Sequence, residues 1–179
     1  MGENRGMYHI DFELLCAKLG LGRLLSEPKP LNGGFLHRMF EVNAESGRYA
    51  VKALNPEIMA REDALANFEF SERAANRLSK ELPVSHAKQY GGSYVQQVNE
   101  QYYLIYDFME GKTLSDAEIT ERHTERIGCA LARIHGADAA ELGAPEAAKA
   151  VPERRIPEWS WYARRGREGR RTWRKFLGS

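Results

Sequence analysis

The fold of this chain is decided by two neighbouring stretches, Leu31-Asn-Gly-Gly-Phe-Leu-His-Arg-Met-Phe-Glu-Val42 and, after a polar turn, Arg48-Tyr-Ala-Val-Lys52. Gly33 and Gly34 are predicted to form a turn between two apolar strands, and the second stretch alternates apolar and polar residues. Such alternation is typical of half-buried β-strands joined by a hairpin. Glycines let a backbone approach a phosphate group closely, and a lysine on the next strand can reach the same group. The two stretches therefore predict a phosphate-binding turn and a strand lysine, Lys52, that serves it.

Further elements are predicted on both sides of this hairpin. Apolar residues recur at helical spacing over residues 11–19 and again over residues 61–80. A second hairpin is predicted from residues 94–98 and 102–108. One helix that follows two strands and precedes two more is typical of an α+β layer, with the helix packed against a mostly antiparallel sheet.

The lysine that ends the second strand requires an anionic partner, because burying an unpaired ammonium is costly. The apolar stripe of the helix over residues 61–80 begins at Leu65 and includes Glu72, which lies between Phe68 and Ala75. Glu69, three residues earlier, is an alternative partner, and a Lys52 that extends to solvent would need neither glutamate. We predict that Lys52 pairs with Glu72.

The segment of residues 103–111 is an apolar strand that ends in glycine. It is either an edge of the core or a hinge between two lobes, where exposed backbone N–H and C=O groups can bond the edge of a base. On the hinge interpretation Tyr106 lines the back of the pocket. Asp107 and Met109 then offer their backbone groups to the base.

The composition changes after Glu110. Residues 115–118 match a helix N-cap with its reciprocal Glu, and apolar residues at helical spacing continue to Gly136. Residues 152–179 hold nine Lys or Arg and three Glu, a net of +6. We therefore predict two units, residues 1–110 and residues 111–179.

The aromatic residues of the basic segment fall on one helical stripe and its arginines on the other faces: Trp159, Tyr162, Trp173 and Phe176. This pattern favours an amphipathic helix over a nucleic-acid surface. We expect no nucleic-acid partner, and we expect self-association through the aromatic stripe.

Composition restricts the remaining possibilities. The chain has 179 residues, a net charge of +1 and two cysteines, Cys16 and Cys129, with no metal-ligand spacing. Both cysteines are predicted to be buried free thiols in a reducing compartment. The sequence has no apolar run of membrane-spanning length and no apolar signal core. We therefore expect a cytoplasmic protein without a membrane partner.

Taken together, these motifs resemble the N-terminal lobe of the aminoglycoside phosphotransferase and choline kinase family, whose fold is like that of the protein kinases. The matching motifs cover about residues 28–136. The resemblance implies a protein-kinase-like N-terminal lobe, an antiparallel sheet with one packed helix, followed by helices of an incomplete C-terminal lobe. It also implies an ATP- and Mg2+-dependent transfer of phosphate to a hydroxyl of a small molecule, whose identity stays open.

The resemblance assigns a role to each candidate residue of the nucleotide site. Lys52 would hold the α- and β-phosphates, and Glu72 would orient it. Gly33 and Gly34 would cover the triphosphate, and the hinge backbone described above would hold adenine.

The chain departs from the family in two motifs. Members of the family have a catalytic loop with the sequence His-Gly-Asp-x-x-x-x-Asn and, later, a metal-binding Asp, and we find neither motif in this chain. The sequence His135-Gly-Ala-Asp138 ends a helical pattern, and we interpret His135 as a packing or capping residue. The last asparagine is Asn99 and the last aspartate is Asp138. We therefore expect no catalytic residue and no metal ligand in this chain, and we expect it to be an inactive fragment. The alternative is a non-catalytic nucleotide-binding or interaction module.

Overall fold

A computed structural model describes residues 7–31, 36–112, 114–137 and 142. The described elements are, in chain order, α1 (Phe12–Leu19), β1 (Lys29–Leu31), β2 (Arg38–Ala44), β3 (Gly47–Ala53), α2 (Pro56–Met59), α3 (Ala64–Leu78), β4 (Gln96–Val98), β5 (Gln101–Asp107) and α4 (Glu121–His135). A short 3-10 turn at Asp116–Glu118 precedes α4. The boundary that we predict at residue 110 stays a prediction.

The described strands form one antiparallel sheet in the order β1-β2-β3-β5-β4. The central strand β3 pairs with β2 through Phe40 and Val51, and with β5 through Val51 and Ile105. Both predicted hairpins are confirmed, and with them the α+β kinase-like lobe. The strand expected before Gly33 and Gly34 is β1, which contains Pro30 and lies at the edge of the sheet. An edge strand tolerates proline, which cannot donate to a neighbouring strand.

The sheet is covered on both faces, since side chains alternate along each strand. On one face Val51, Tyr103 and Ile105 pack with Leu15 and Cys16 of α1 in a buried cluster. On the other face the buried residues include Leu54, Tyr94 and Leu104, and Phe68 of α3 packs against them. The face that α3 covers is therefore the face on which Leu104 and Tyr106 lie.

Helix α1 is defined by its two ends. The Asp11 carboxylate accepts the Leu14 N–H at 2.9 Å, and Gly20 ends the helix in the left-handed conformation with φ of 67°. A residue with φ in this range is most often glycine, because it has no Cβ to clash with the backbone. The predicted helix over residues 11–19 is confirmed.

Three details of the sequence-based interpretation are wrong. Leu65 of α3 is 45% exposed, and Ala64 is buried instead. The capping box of Ser115 and Glu118 begins the 3-10 turn, and α4 begins separately after Thr120. Cys129 is exposed on α4, whereas Cys16 is buried as expected. Periodicity misplaced these residues because burial depends on what packs against each helix. The aromatic stripe of residues 159–176 lies outside the described residues.

Candidate functional site

Lys52 lies on β3 at the centre of the sheet, opposite Met39 of β2 and Leu104 of β5. Its side chain is half-buried, and its Nζ is 5.4 Å from the centroid of the Tyr106 ring. A cation within about 6 Å of a tyrosine ring is attracted by the negative face of the ring. In the part of the chain that the structure describes, no carboxylate lies within 4.0 Å of the Lys52 ammonium. The N–H groups of the Lys52 ammonium are therefore available to bond a ligand.

Glu72 of α3 is only 8% exposed, and both of its carboxylate oxygens accept hydrogen bonds. Oε2 accepts the Ala87 N–H at 2.7 Å, and Oε1 accepts the Tyr106 hydroxyl at 2.7 Å. Burial, followed by the bond to Glu72, raises the pKa of Tyr106, so the phenol stays protonated and donates. The structure therefore does not form the direct Lys52–Glu72 ion pair that we predict: Glu72 is held by the Ala87 N–H and the Tyr106 hydroxyl, and the Lys52 ammonium lies on the Tyr106 ring instead.

Glu69, the alternative partner of Lys52, is occupied by the turn at residues 93–95. Its carboxylate accepts the Val95 N–H at 2.8 Å, the Tyr94 N–H at 3.2 Å and the Ser93 hydroxyl. Three donors from one segment make Glu69 a clamp that holds this segment on α3. The two glutamates therefore differ in their surroundings: Glu72 bonds Tyr106, which also contacts Lys52, whereas Glu69 bonds the turn.

His37 is a member of this site that the sequence analysis did not single out. Its Nδ1 accepts the Asn55 N–H at 3.0 Å, and its ring contacts Phe68 with centroids 5.6 Å apart. Burial, and then the charge of Lys52, lowers the pKa of His37. The imidazole is therefore neutral at pH 7, with its proton on Nε2. A lone histidine in a strand sequence gives no signal of this contact.

The end of β5 presents free backbone groups. Asp107 lies opposite Tyr49, and the Phe108 N–H donates to the Arg48 C=O at 3.2 Å. In an antiparallel ladder this makes Tyr49 and Asp107 the non-hydrogen-bonded pair, so the Asp107 N–H and C=O point away from β3. On that side the Lys88 N–H donates to the Ile105 C=O at 2.6 Å, and no described residue bonds the Asp107 backbone.

Side chains hold this strand end in place without covering its backbone edge. The Arg48 guanidinium stacks on Phe108 at 3.8 Å and forms ion pairs with Glu41 and Glu110. On the opposite side the Lys88 ammonium pairs with the Asp107 carboxylate at 2.7 Å, which raises the pKa of Lys88. Met109, whose backbone we predict to bind a base, is 70% exposed.

Other predicted features are not described or not found. Gly33 and Gly34 lie outside the described residues, so their phosphate role stays a prediction. Among the described residues, no group of three or more His, Cys, Asp or Glu side chains is placed to hold a metal ion. In the same residues no helix has the length and apolar character that crossing a bilayer requires. His135 ends α4, as the helical pattern predicts.

Comparison with known proteins agrees with this architecture. The model of the phosphotransferase enzyme family matches residues 27–176, which is most of the chain. The structure described above is a kinase-like lobe, with a lysine on a central strand and a glutamate on the inner face of a helix. The chain belongs to the phosphotransferase enzyme family. No curated protein matches the sequence.

Proposed function

We propose that this chain binds ATP between Lys52 and the free edge of β5. The observation that supports the proposal most directly is the Lys52 ammonium, which is half-buried on a central strand without a carboxylate partner among the described residues. A half-buried ammonium without a counter-ion favours an anionic ligand, because burial strengthens its attraction for negative charge.

The base would occupy the other end of the site. The outward-facing N–H and C=O of Asp107 form an open edge that can bond adenine, and the exposed Met109 follows two residues later. Tyr106 lies between the two ends, since it precedes Asp107 on β5 and its ring contacts Lys52. The predicted Gly33-Gly34 turn would cover the phosphates, and Glu72 would orient Lys52 once a nucleotide is bound.

The reaction of the family, phosphoryl transfer to a hydroxyl of a small molecule, is the wider proposal. The ATP used in this reaction is bound together with Mg2+. Among the described residues, no group of three or more His, Cys, Asp or Glu side chains could hold that ion. No asparagine follows Asn99, so we assign no catalytic base and no metal ligand to these residues. The second candidate is a nucleotide-binding module that does not transfer phosphate. For both candidates we propose a cytoplasmic location without nucleic-acid partners.

Titration calorimetry with ATP and with adenosine tests the nucleotide site. We expect Lys52→Ala to weaken ATP binding by about tenfold or more, which is the usual effect of losing one charge-assisted contact. Adenosine, which has no phosphate, should bind the variant and the wild type equally. Lys29→Ala is the matched control, because Lys29 is an exposed lysine on the edge strand β1. Equal ATP affinity of wild type and Lys52→Ala, or no ATP binding by the wild type, would contradict the proposal.

A further inference from the structure

Tyr106 contacts both charged residues of the proposed phosphate site. Its hydroxyl donates to the Glu72 carboxylate at 2.7 Å, and its ring lies 5.4 Å from the Lys52 ammonium. We propose that Tyr106 is a positioning residue whose hydroxyl competes with the Lys52 ammonium for Glu72 and holds this carboxylate while no nucleotide is bound. The proposal rests on the proposed function, since it assigns the exchange to ATP binding.

The bond between Tyr106 and Glu72 is well defined by its surroundings. Tyr106 lies on the sheet face that α3 covers, and the Ala87 N–H anchors the second oxygen of Glu72. Because Glu72 is only 8% exposed, bulk water has little access to replace a lost donor. If the hydroxyl were absent, Glu72 would require another donor from its neighbours.

Lys52 is the neighbour that can provide this donor. Its ammonium lies on the same ring, carries three N–H groups on a flexible four-carbon stem, and has no carboxylate within 4.0 Å among the described residues. The other titratable group near Lys52, His37, is neutral and already accepts the Asn55 N–H. Glu69 forms no ion pair with Lys52 and accepts three donors from the turn at residues 93–95 instead.

The exchange has a consequence for binding. A nucleotide phosphate that orders Lys52 beside Glu72 brings a second donor to a carboxylate that the Tyr106 hydroxyl already holds. We therefore expect the Tyr106 bond to oppose phosphate binding and to leave base binding unaffected. Removing the hydroxyl should therefore favour ATP and not adenosine. A purely structural role of the hydroxyl would weaken both ligands or neither.

The test compares Tyr106→Phe with Tyr102→Phe. Tyr102 is the matched control, because it lies on the same strand and packs against the same cluster as Tyr106 but forms no hydrogen bond with Glu72. In nucleotide-free crystal structures we expect the Lys52 Nζ to lie within about 4 Å of the Glu72 carboxylate in Tyr106→Phe only. We expect Tyr106→Phe to bind ATP about three- to tenfold more tightly than wild type does, with adenosine affinity unchanged.

A second variant shows whether Glu72 carries the effect. In Tyr106→Phe combined with Glu72→Gln, the carboxylate charge is gone and the gain in ATP affinity should disappear. The proposal is overturned if Tyr106→Phe leaves Lys52 and Glu72 apart, or if its ratio of ATP to adenosine affinity equals that of wild type. If no variant binds ATP, the nucleotide site itself fails, while the Lys52–Glu72 distance in the Tyr106→Phe crystal structure still decides whether the two donors compete.

Discussion

The Tyr106 hydroxyl donates to Glu72 Oε1 at 2.7 Å and so connects the end of β5 to the middle of α3. The two residues are 34 positions apart in the sequence. The end of β5 and the helix glutamate are therefore joined by one partly buried hydrogen bond, while Lys52 lies on the ring of the same tyrosine. In the proposed site this arrangement connects the base end with the phosphate end.

Replacing Glu69 should lower stability rather than affinity. Glu69→Ala removes the acceptor of two backbone N–H groups and one hydroxyl in the turn at residues 93–95. An unsatisfied buried donor costs about 1–3 kcal/mol, so we expect the free energy of unfolding in urea to fall by about 2 kcal/mol. Glu62→Ala, which changes an exposed glutamate before α3, should have little effect. Glu69→Ala with full stability and reduced ATP affinity would show that Glu69 serves the site.

His37 should make stability depend on pH in weakly acidic solution. Its folded pKa is lowered by burial and by Lys52, so below about pH 6.5 the unfolded chain binds more protons than the folded chain. The free energy of unfolding should therefore fall as pH decreases below about 6.5. Above that pH it should no longer depend on the protonation of His37. Protonation would also remove the Nδ1 acceptor of the Asn55 N–H.

Denaturation between pH 5 and 8 measures this dependence. His37→Gln should flatten the decrease at low pH, whereas His9→Gln, a change at an exposed histidine, should retain it. A His37→Gln profile that is parallel to the wild-type profile would show that other groups cause the dependence.

The chain should bind ATP without transferring its phosphate. Phosphoryl transfer requires a positioned base and ligands for Mg2+, and no asparagine follows Asn99 and no aspartate follows Asp138. A coupled ADP-release assay over a panel of small hydroxyl compounds should show the same background for wild type and Lys52→Ala. Acceptor-dependent ADP release that Lys52→Ala abolishes would prove this prediction wrong.

The aromatic stripe of the basic segment is expected to cause self-association. Trp159, Tyr162, Trp173 and Phe176 fall on one helical stripe in the sequence. Each large aromatic side chain buries on the order of 150–250 Å2 when it is packed, so a stripe left in water forms an apolar patch. Deleting residues 157–179 should reduce light scattering and leave the circular dichroism of the sheet unchanged. A monomeric full chain that unfolds after the deletion would show instead that this segment completes a core.

The sequence alone determined the main strands of the lobe and the helices α1 and α3. The alternation before Lys52 predicts β3, and the helical stripe around Phe68 predicts α3 with Glu72 on its inner side. These signals are local, because a strand repeats every two residues and a helix every 3.6. The free edge at Asp107 lies where the sequence predicts a hinge, and the hinge role itself stays a prediction.

Only the tertiary structure decided which side chains meet. The pairing of Glu72 with Tyr106 instead of Lys52, the clamp that Glu69 forms and the bond from Asn55 to His37 all join segments that are distant in the sequence. Each depends on how α3 lies against the sheet and on which donor is nearest to a buried carboxylate. Periodicity gives the face on which a residue lies, but the choice among partners on that face depends on distances of a few ångströms, which the sequence pattern does not contain.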